Sequence, residues 1–529
     1  MLTTDRFGCL RPSLALRVAW QNLVWCRRNC HDGPRSKILS RLGHLPGLLF
    51  IAFVLSPFPG LAVTTSQAGD NSQTVVKLSR TLDPGAEVDS FAVSPDGKLV
   101  AVVVSRAVQL WDVSTGKRLQ TFIGFEKEPS LYWNTDSSRL LITKWGKVGA
   151  VWFVQAGTME LQPLVLERNL RTVSWSPVGK LLLTTHSGAL VDVWDAQKLT
   201  RLFELKLNKE LIDARWSPDE RSIMTLTRDG GWKAEWKLTP HSWVQLWDAE
   251  SGQEKFTITL KGLVERAEFN ADGKYILTVG GWDVPQLWDA ASGNLHVKMK
   301  PPWCANGNCG TNYAELSRDG SLVVTGSSYS SRKETWDVVS GKFLALVETE
   351  KGNRFYIRGL SPDAQLVAVY RQHFKSWKSF AEESSIQLHD TRTGRLKVEL
   401  TGRNMMWSAH QIVWSSDSKT LVTAGGSHGY QGKIWDVATG KLRADLELIA
   451  KEGHVPFTSY FNDLDELSFH PMAPVLIGTS QKLLKFWDPA NGELLQTIAA
   501  SSSQWNKTGG LLVTIRADKK SLLLWELVN

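Results

Sequence analysis

The feature that most constrains this chain is a short element that recurs along it: an apolar residue, Trp-Asp and a turn that usually contains Gly. Eight copies are LWDVSTGK from 110, VWDAQKLT from 193, LWDAESGQ from 246, LWDAASGN from 287, TWDVVSGK from 335, LHDTRTGR from 388, IWDVATGK from 434 and FWDPANGE from 486. Degenerate copies, VWFVQAGT from 151 and LWELVN from 524, bring the count to ten, at spacings of 38 to 53 residues. Self-similarity at this period predicts an array of equivalent structural units.

A second element, of the form Ser-Pro-Asp-Gly, precedes each of these ten copies. The ten segments are 94–97, 134–137, 176–179, 217–220, 270–273, 317–320, 361–364, 415–418, 470–473 and 506–509. Between the two elements lie short runs rich in Val, Ile, Leu and Thr, such as KLVAVVV and KYILTVG, which indicate strands. Pro, Asp and Gly favour tight turns. Each unit is therefore predicted to be four strands, a to d, with the first element between a and b and Trp-Asp at the end of c.

The Trp-Asp dipeptide that closes the third strand, with Ser-Pro-Asp-Gly between the first two, resembles the WD40 repeat family. This resemblance implies a β-propeller over residues 74–529 and a structural role for the signature residues Trp111, Asp112, Trp194, Asp195, Trp247, Asp248, Trp288, Asp289, Trp336, Asp337, Asp390, Trp435, Asp436, Trp487 and Asp488. One departure is that Gly453-His454 is the only clear Gly-His within residues 74–529, although WD40 repeats usually carry this pair before strand a. The family serves many tasks, so the resemblance is specific for fold and weak for function.

The two ends of the repeat region predict how the ring closes. The last unit stops at its third strand, and Thr74 to Leu82 has the pattern of a fourth strand without the other three. One segment would complete the other and remove an exposed sheet edge. This favours one ring of about ten four-stranded blades. A smaller ring with irregular units, or two propellers, remains open.

Residues 1–68 are predicted to be a basic leader with a signal peptide, followed by a linker at 69–73. Eight Lys or Arg face two Asp in this leader, a net charge of +6, which leaves +2 of the total +8 for the rest of the chain. The uncharged segment 45–63 and small residues before Ala68 predict export to the periplasm or medium, with cleavage near Ala68. A retained membrane anchor through 45–63 is the alternative. The nearly neutral body has no obvious electrostatic footprint for a polyphosphate, so nucleic acid is disfavoured as a partner.

Cysteine usage fits the same division. Three of the five Cys lie in the leader, which leaves Cys304 and Cys309 in the predicted mature part. In an oxidising compartment this pair is expected to form a disulfide. Free thiols are the alternative, and two thiols without further ligands are a poor metal site.

The sequence offers little that points to catalysis. Gly425-Gly426-Ser427-His428-Gly429 matches the letters of G-x-S-x-G, but it lies in a predicted b–c turn, where Gly is expected. The sequence contains no H-E-x-x-H or P-loop pattern, and we assign no catalytic residue, metal or cofactor. The segments 112–117 and 436–441 contain the D-x-x-T-G-K of quinoprotein dehydrogenases, but in that family the Trp follows the turn. The sequence favours a non-catalytic interaction scaffold. A hydrolase or quinoprotein-like enzyme using the central channel is the alternative.

Two units carry insertions between strands b and c that mix aromatic residues with Lys. The insertions supply the candidate partner-binding residues Trp232, Lys233, Trp236, Lys237, His373, Phe374, Lys375, Trp377, Lys378 and Phe380. Loops on a rigid scaffold often carry recognition, and Trp is a favoured interface anchor. They would bind an unknown protein partner or a glycan. The alternative is that they only lengthen their own hairpins.

Overall fold

Forty β-strands and no helix form the part of the chain that the computed structural model describes. This part is residues 75–528 without 126–128, 144–149, 156–160, 166–169, 230–239, 281–283, 303–312, 327–331, 349–352, 374–382, 403–408, 426–430, 448–465 and 481–482. Within these residues no helix is long and apolar enough to cross a membrane. The strands form ten four-stranded antiparallel sheets.

The first strand, β1 (Val76–Leu82), belongs to the tenth sheet, and the other nine sheets are each built from four consecutive strands. We number these nine sheets as blades 1 to 9 in chain order. Blades 1 to 3 are β2 (Val88–Val93), β3 (Leu99–Val104), β4 (Ala107–Asp112), β5 (Arg118–Phe122); β6 (Ser130–Trp133), β7 (Arg139–Thr143), β8 (Ala150–Gln155), β9 (Leu161–Val165); and β10 (Leu170–Trp175), β11 (Leu181–His186), β12 (Leu190–Asp195), β13 (Thr200–Lys206).

The same order of strands continues through the middle of the chain. Blades 4 to 6 are β14 (Glu210–Trp216), β15 (Ser222–Arg228), β16 (His241–Asp248), β17 (Glu254–Lys261); β18 (Val264–Phe269), β19 (Tyr275–Gly280), β20 (Gln286–Asp289), β21 (Leu295–Lys298); and β22 (Tyr313–Leu316), β23 (Leu322–Gly326), β24 (Arg332–Asp337), β25 (Phe343–Glu348). Blades 7 to 9 are β26 (Asn353–Leu360), β27 (Leu366–His373), β28 (Glu383–Asp390), β29 (Leu396–Leu400); β30 (Ala409–Trp414), β31 (Thr420–Gly425), β32 (Gln431–Asp436), β33 (Leu442–Glu447); and β34 (Glu466–Phe469), β35 (Leu476–Ser480), β36 (Leu483–Trp487), β37 (Leu494–Ala499).

The tenth sheet, blade 10, joins two distant parts of the chain. It contains β38 (Ser502–Trp505), β39 (Leu511–Ile515) and β40 (Leu522–Leu527), and β1 pairs with β40 from Val76↔Leu527 to Leu82↔Leu522. Gln496 of blade 9 also holds β1. Its Oε1 accepts hydrogen bonds from the backbone N–H groups of Val75 and Val76 at 3.1 and 2.9 Å, and its Nε2 donates to the Val76 carbonyl at 2.9 Å.

Every pair of neighbouring blades packs through its own buried apolar cluster, including the pair formed by blades 10 and 1. First strands of neighbouring blades touch, as β2 does with both β6 and β38, which places strand a at the centre of the ring. The apolar second strands, such as LVAVVV in β3, are buried on both faces because each blade lies between two others. The prediction of an all-β propeller with four-stranded antiparallel blades is confirmed.

The signature Trp of strand c packs against the preceding blade and is anchored inside its own. Trp336, for example, contacts the apolar cluster that blade 6 shares with blade 5. In six blades the indole N–H donates to a Thr hydroxyl on strand b at 2.9 to 3.0 Å, in the pairs Trp194–Thr184, Trp247–Thr225, Trp288–Thr278, Trp336–Thr325, Trp435–Thr423 and Trp525–Thr514. A buried indole needs such an acceptor, so Thr and Trp act as one unit.

The signature Asp closes the turn between strands c and d. The Asp112 carboxylate accepts hydrogen bonds from the Thr115 N–H at 2.7 Å and the Thr115 hydroxyl at 2.8 Å, and Gly116 follows with a φ of 67°. The turn between strands a and b is closed similarly: the Asp96 carboxylate accepts from the Ser94 hydroxyl at 2.7 Å, and Gly97 has a φ of 74°. Both predicted turn elements are therefore present as hydrogen-bonded turns.

These turn carboxylates predict that acid destabilises the protein. A backbone hydrogen bond from Ser251 lowers the pKa of Asp248 to about 2, and the Arg443 side chain lowers the pKa of Asp436 to about 2. A carboxyl group whose pKa is lower in the folded state stabilises that state above its unfolded pKa, near 3.9, and the contribution is lost as pH falls through the folded value. We expect the urea concentration at the unfolding midpoint to decrease as the pH is lowered from 4 to 2. Asp248→Asn should reduce the dependence of this midpoint on pH. An equal midpoint at pH 5 and pH 2.5 would contradict the expectation.

Candidate functional site at the hairpins of blades 4 and 7

The b–c connections of blades 4 and 7 join the strands β15–β16 and β27–β28, where the sequence predicts the partner-binding insertions. His373 is the last residue of β27. The candidates Trp232, Lys233, Trp236 and Lys237, and likewise Phe374, Lys375, Trp377, Lys378 and Phe380, lie outside the described residues, as do Cys304 and Cys309. Their roles therefore stay predictions. The described residues show the framework on which both insertions stand.

Both hairpins are longer than their counterpart in blade 1. In blade 1 the b–c ladder has six residue pairs, from Leu99↔Asp112 to Val104↔Ala107. In blade 4 it has seven, ending at Arg228↔Ser242, and in blade 7 it has eight, ending at His373↔Glu383. Because these three ladders all start at the signature Asp, the extra pairs lengthen the hairpins on the side opposite the signature turns.

The base of the blade 4 hairpin carries an aromatic and charged cluster, consisting of Lys209, Asp229, His241 and Trp243, that we call the blade 4 base. The Lys209 Nζ lies 4.7 Å from the centroid of the Trp243 ring, and the His241 and Trp243 rings stack at 6.1 Å. Lys209 also pairs with the Asp229 carboxylate at 2.7 Å, which lowers the pKa of Asp229. The indole is half-buried beneath an ammonium group, a cation–π arrangement that orders a partly exposed aromatic surface.

A polar network stabilises the blade 7 hairpin. The Glu399 carboxylate accepts hydrogen bonds from the Ser385 hydroxyl at 2.7 Å and the Gln387 amide at 3.0 Å, and Arg371 pairs with it at 3.2 Å. Burial tends to raise the pKa of Glu399, but these hydrogen bonds and the Arg371 charge outweigh burial and leave the pKa below its usual value. The network keeps strands b, c and d of this blade together beneath the insertion.

A buried histidine in blade 3 and its neighbours include the residue types of a catalytic relay but do not have its geometry. The His186 Nε2 lies 2.9 Å from the Thr184 hydroxyl and 3.0 Å from the Asp192 carboxylate, and the Trp194 indole donates to Thr184. A relay needs hydroxyl and carboxylate on opposite ring nitrogens, whereas both contact the same nitrogen here. All four side chains are buried, so we assign them to packing.

Metal-binding geometry is likewise missing from the described residues, which contain no group of three His, Cys, Asp or Glu placed to hold an ion. What the described residues show here is two b–c hairpins whose ladders are longer than that of blade 1. Sequence reasoning identified the insertions and missed Lys209, His241 and Trp243. The available signal was the aromatic Trp243 four residues before the signature Trp247, on the same face of an extended strand.

Comparison with known proteins identifies repeat proteins over parts of the chain. Subunit I of eukaryotic translation initiation factor 3 from Botryotinia fuckeliana is 24% identical over 153 residues, which are 26% of this chain and 46% of that protein. WD repeat-containing protein slp1 from Schizosaccharomyces pombe is 23% identical over 279 residues, 51% of this chain and 54% of that protein. The chain thus spans about half the length of these relatives.

A crystal structure of a eukaryotic initiation factor covers 69% of this chain and 89% of its own, with 15% sequence identity and a TM-score of 0.45. No family model matches the chain.

Proposed function

We propose that this chain, which is similar to WD repeat proteins and folds as a β-propeller, is a non-catalytic scaffold that binds a protein partner on the face carrying the blade 4 and blade 7 hairpins. The b–c and d–a connections of antiparallel blades open on one face, and the signature turns lie on the other. The observation that carries the proposal is the blade 4 base, where Lys209 and His241 flank the half-buried Trp243 at the root of an insertion that contains two more Trp.

The chemistry of this face favours a protein over other ligands. Trp side chains supply large apolar contact area, and neighbouring Lys side chains supply charge at the rim of an interface. The insertions hold Trp232, Trp236 and Trp377 together with four Lys. A partner surface that combines apolar pockets with acidic residues would complement them.

The test is affinity capture with the full chain from an envelope or secreted extract, followed by a binding measurement with each purified partner. We expect Trp232→Ala, Trp236→Ala and Trp377→Ala together to weaken binding of the true partner at least about tenfold, since interface Trp residues are frequent hot spots. Trp243→Ala should weaken it as well, because the blade 4 base supports the insertion.

The control is Val339→Ala, which changes a 69% exposed residue in a signature turn on the opposite face. It should leave binding unchanged. If the triple variant is folded and binds every captured protein as the parent does, the hairpin face is not the binding surface. Retention of a polysaccharide instead of a protein, lost in the same variant, would replace the protein partner with a glycan.

We also propose that residues 1–68 direct export and are removed near Ala68. The support is the uncharged segment 45–63 after a basic region, with small residues before Ala68. N-terminal sequencing of the protein from its own cells should begin at or near Gly69. A protein that keeps residues 1–68 and fractionates with membranes would instead support the anchor.

Export would place Cys304 and Cys309 in an oxidising compartment, where we propose that they form a disulfide. Intact-mass measurement after alkylation, with and without reductant, distinguishes the two states of this pair. Alkylation of both Cys without reductant would show free thiols.

A further inference from the structure

The contact between blades 6 and 7, which we call seam 6/7, has an apolar cluster without a signature Trp among the side chains that the structure describes. Four buried Val form it, Val324 and Val347 from blade 6 and Val367 and Val369 from blade 7, with Leu360 packed against them. The seam between blades 5 and 6, by comparison, holds eight buried apolar residues, Trp336 among them.

Seam 6/7 lacks the indole that fills other seams. His389 occupies the signature position of blade 7, opposite Val367, as Trp336 lies opposite Val323 and Trp435 opposite Leu421. Signature Trp residues pack in eight other seams: Trp111, Trp194, Trp247, Trp288, Trp336, Trp435, Trp487 and Trp525. A buried Trp removes about 150 to 250 Å² from water, and the smaller, polar imidazole removes less.

Polar groups take up part of the space in this seam. The Thr335 hydroxyl of blade 6 donates to the Thr391 carbonyl of blade 7 at 2.5 Å. Lys333 lies on the same side of its strand as Thr335 and is 1% exposed, and burial lowers its pKa to about 8. Burial also lowers the pKa of His389. His389 is hydrogen-bonded within blade 7, to the Gln387 side chain at 3.2 Å and the Gly394 carbonyl at 3.1 Å, so these polar contacts do not join the two blades.

The signature-turn side of the seam is open. A cleft of about 350 Å³ is lined by Asp319 and Leu322 of blade 6 and by Asp363, Gln365, Thr391 and Arg392 of blade 7. Among the described residues, contacts across the seam include the four Val with Leu360, the Thr335–Thr391 hydrogen bond and the approach of Gly394 in blade 7 to the Leu346 backbone in blade 6.

We propose that the ring opens at seam 6/7, where blades 6 and 7 separate reversibly while the Trp-filled seams stay closed. The proposal goes beyond the scaffold function and does not depend on it. The strands of each blade are held by ladders of backbone hydrogen bonds, whereas the described contacts between blades 6 and 7 do not belong to a ladder, so separation of the two blades preserves each sheet. Blade 7 also carries one of the two long hairpins, so opening would shift that hairpin relative to the hairpin of blade 4.

Two adjacent residues of β23 provide the test. Val323 and Val324 are both 0% exposed, but Val323 faces seam 5/6 and Val324 faces seam 6/7. In the full chain, Val323→Cys and Val324→Cys are labelled with a thiol reagent under native conditions, and labelling at each site is followed by peptide mass spectrometry. We expect position 324 to react at least about tenfold faster, because only its seam opens. Equal rates, or faster labelling at 323, would overturn the proposal.

A second measurement tests the missing indole as the cause. Adding Val369→Thr and His389→Trp gives blade 7 the Thr–Trp pair of blade 6 and should slow labelling at position 324 to the rate at 323. The reverse exchange in blade 8, Thr423→Val with Trp435→His, should speed labelling of Ala368→Cys, whose side chain faces the seam between blades 7 and 8. Unchanged rates in these variants, if folded, would overturn the assignment of the opening to the missing indole. If they do not fold, the comparison of 323 with 324 decides alone.

Discussion

Deletion of Val76–Leu82 is expected to leave a protein that is largely unfolded or aggregated at room temperature. The deletion removes the fourth strand of blade 10 and exposes the edge of β40, which carries the buried residues Leu522 and Leu524. It also removes Val76 and Leu82, which are 0% and 1% exposed and belong to the clusters on the two sides of blade 10. An unpaired apolar edge promotes association between molecules. Circular dichroism and size-exclusion chromatography would measure the loss.

Point variants measure how much the individual contacts of β1 contribute to stability. Leu82→Ala should lower the free energy of unfolding by about 2 to 5 kcal/mol, the usual cost of truncating a buried Leu. Gln496→Ala should cost about 1 to 3 kcal/mol, because it removes the acceptor of the Val75 and Val76 N–H groups. Leu78→Ala, in the same strand but 44% exposed, should change stability by about 0.5 kcal/mol or less. Three equal effects, or a soluble ring without β1, would contradict the role given to this strand.

Trp435→Ala is expected to have the largest effect of any signature substitution, a loss of about 3 to 5 kcal/mol. The side chain is 1% exposed, packs in the cluster between blades 7 and 8, and donates from its indole to the Thr423 hydroxyl at 3.0 Å. Truncation therefore leaves a cavity at a seam and removes a hydrogen bond. Urea unfolding followed by circular dichroism would measure the loss.

The matched variants divide this loss between packing and the hydrogen bond. Thr423→Val keeps the volume but leaves the indole N–H without its acceptor, at a cost of about 1 to 3 kcal/mol. Trp435→Phe should lie between Thr423→Val and Trp435→Ala. Leu442→Ala, next to Trp435 across the strands and 41% exposed, serves as the control and should be nearly neutral. A Trp435→Ala protein as stable as the parent would show that the seams do not depend on the signature Trp.

Much of the fold was predictable because its determinants are local and repeated. Trp111 with Asp112, and Asp96 with Gly97, make their hydrogen bonds within a few residues, so their pattern recurs in the sequence wherever the turn recurs. Turns that lack the Gly adopt the same backbone conformation: Ser137 and Ala364 have a positive φ of 64° and 57° at the position of the turn Gly. The unmatched strands at the two ends of the repeat region likewise pointed to the pairing of β1 with β40.

The rest depends on contacts between residues that are far apart in sequence. Lys209 meets Trp243 across a blade, and Thr335 meets Thr391 across a seam. Neither pair has a spacing that recurs, and single Lys or Thr residues are common on strands. The substitution of His389 for Trp was visible in the sequence, but its consequence, a seam packed by four Val beside an open cleft, follows only from the arrangement of blades 6 and 7.

The composite blade 10 also affects folding during translation, because its first strand is made long before the other three. The contact between Ser79 and Leu524 joins residues 445 positions apart, so at about 5 to 20 residues per second the ribosome takes roughly 20 to 90 s to make the partner of β1 after β1 itself. For that period β1 has no strand to pair with, while nine other sheets can form from neighbouring segments. A chain rearranged so that β1 directly follows β40 would make this pair as a simple hairpin, and would no longer need to protect a lone strand during translation.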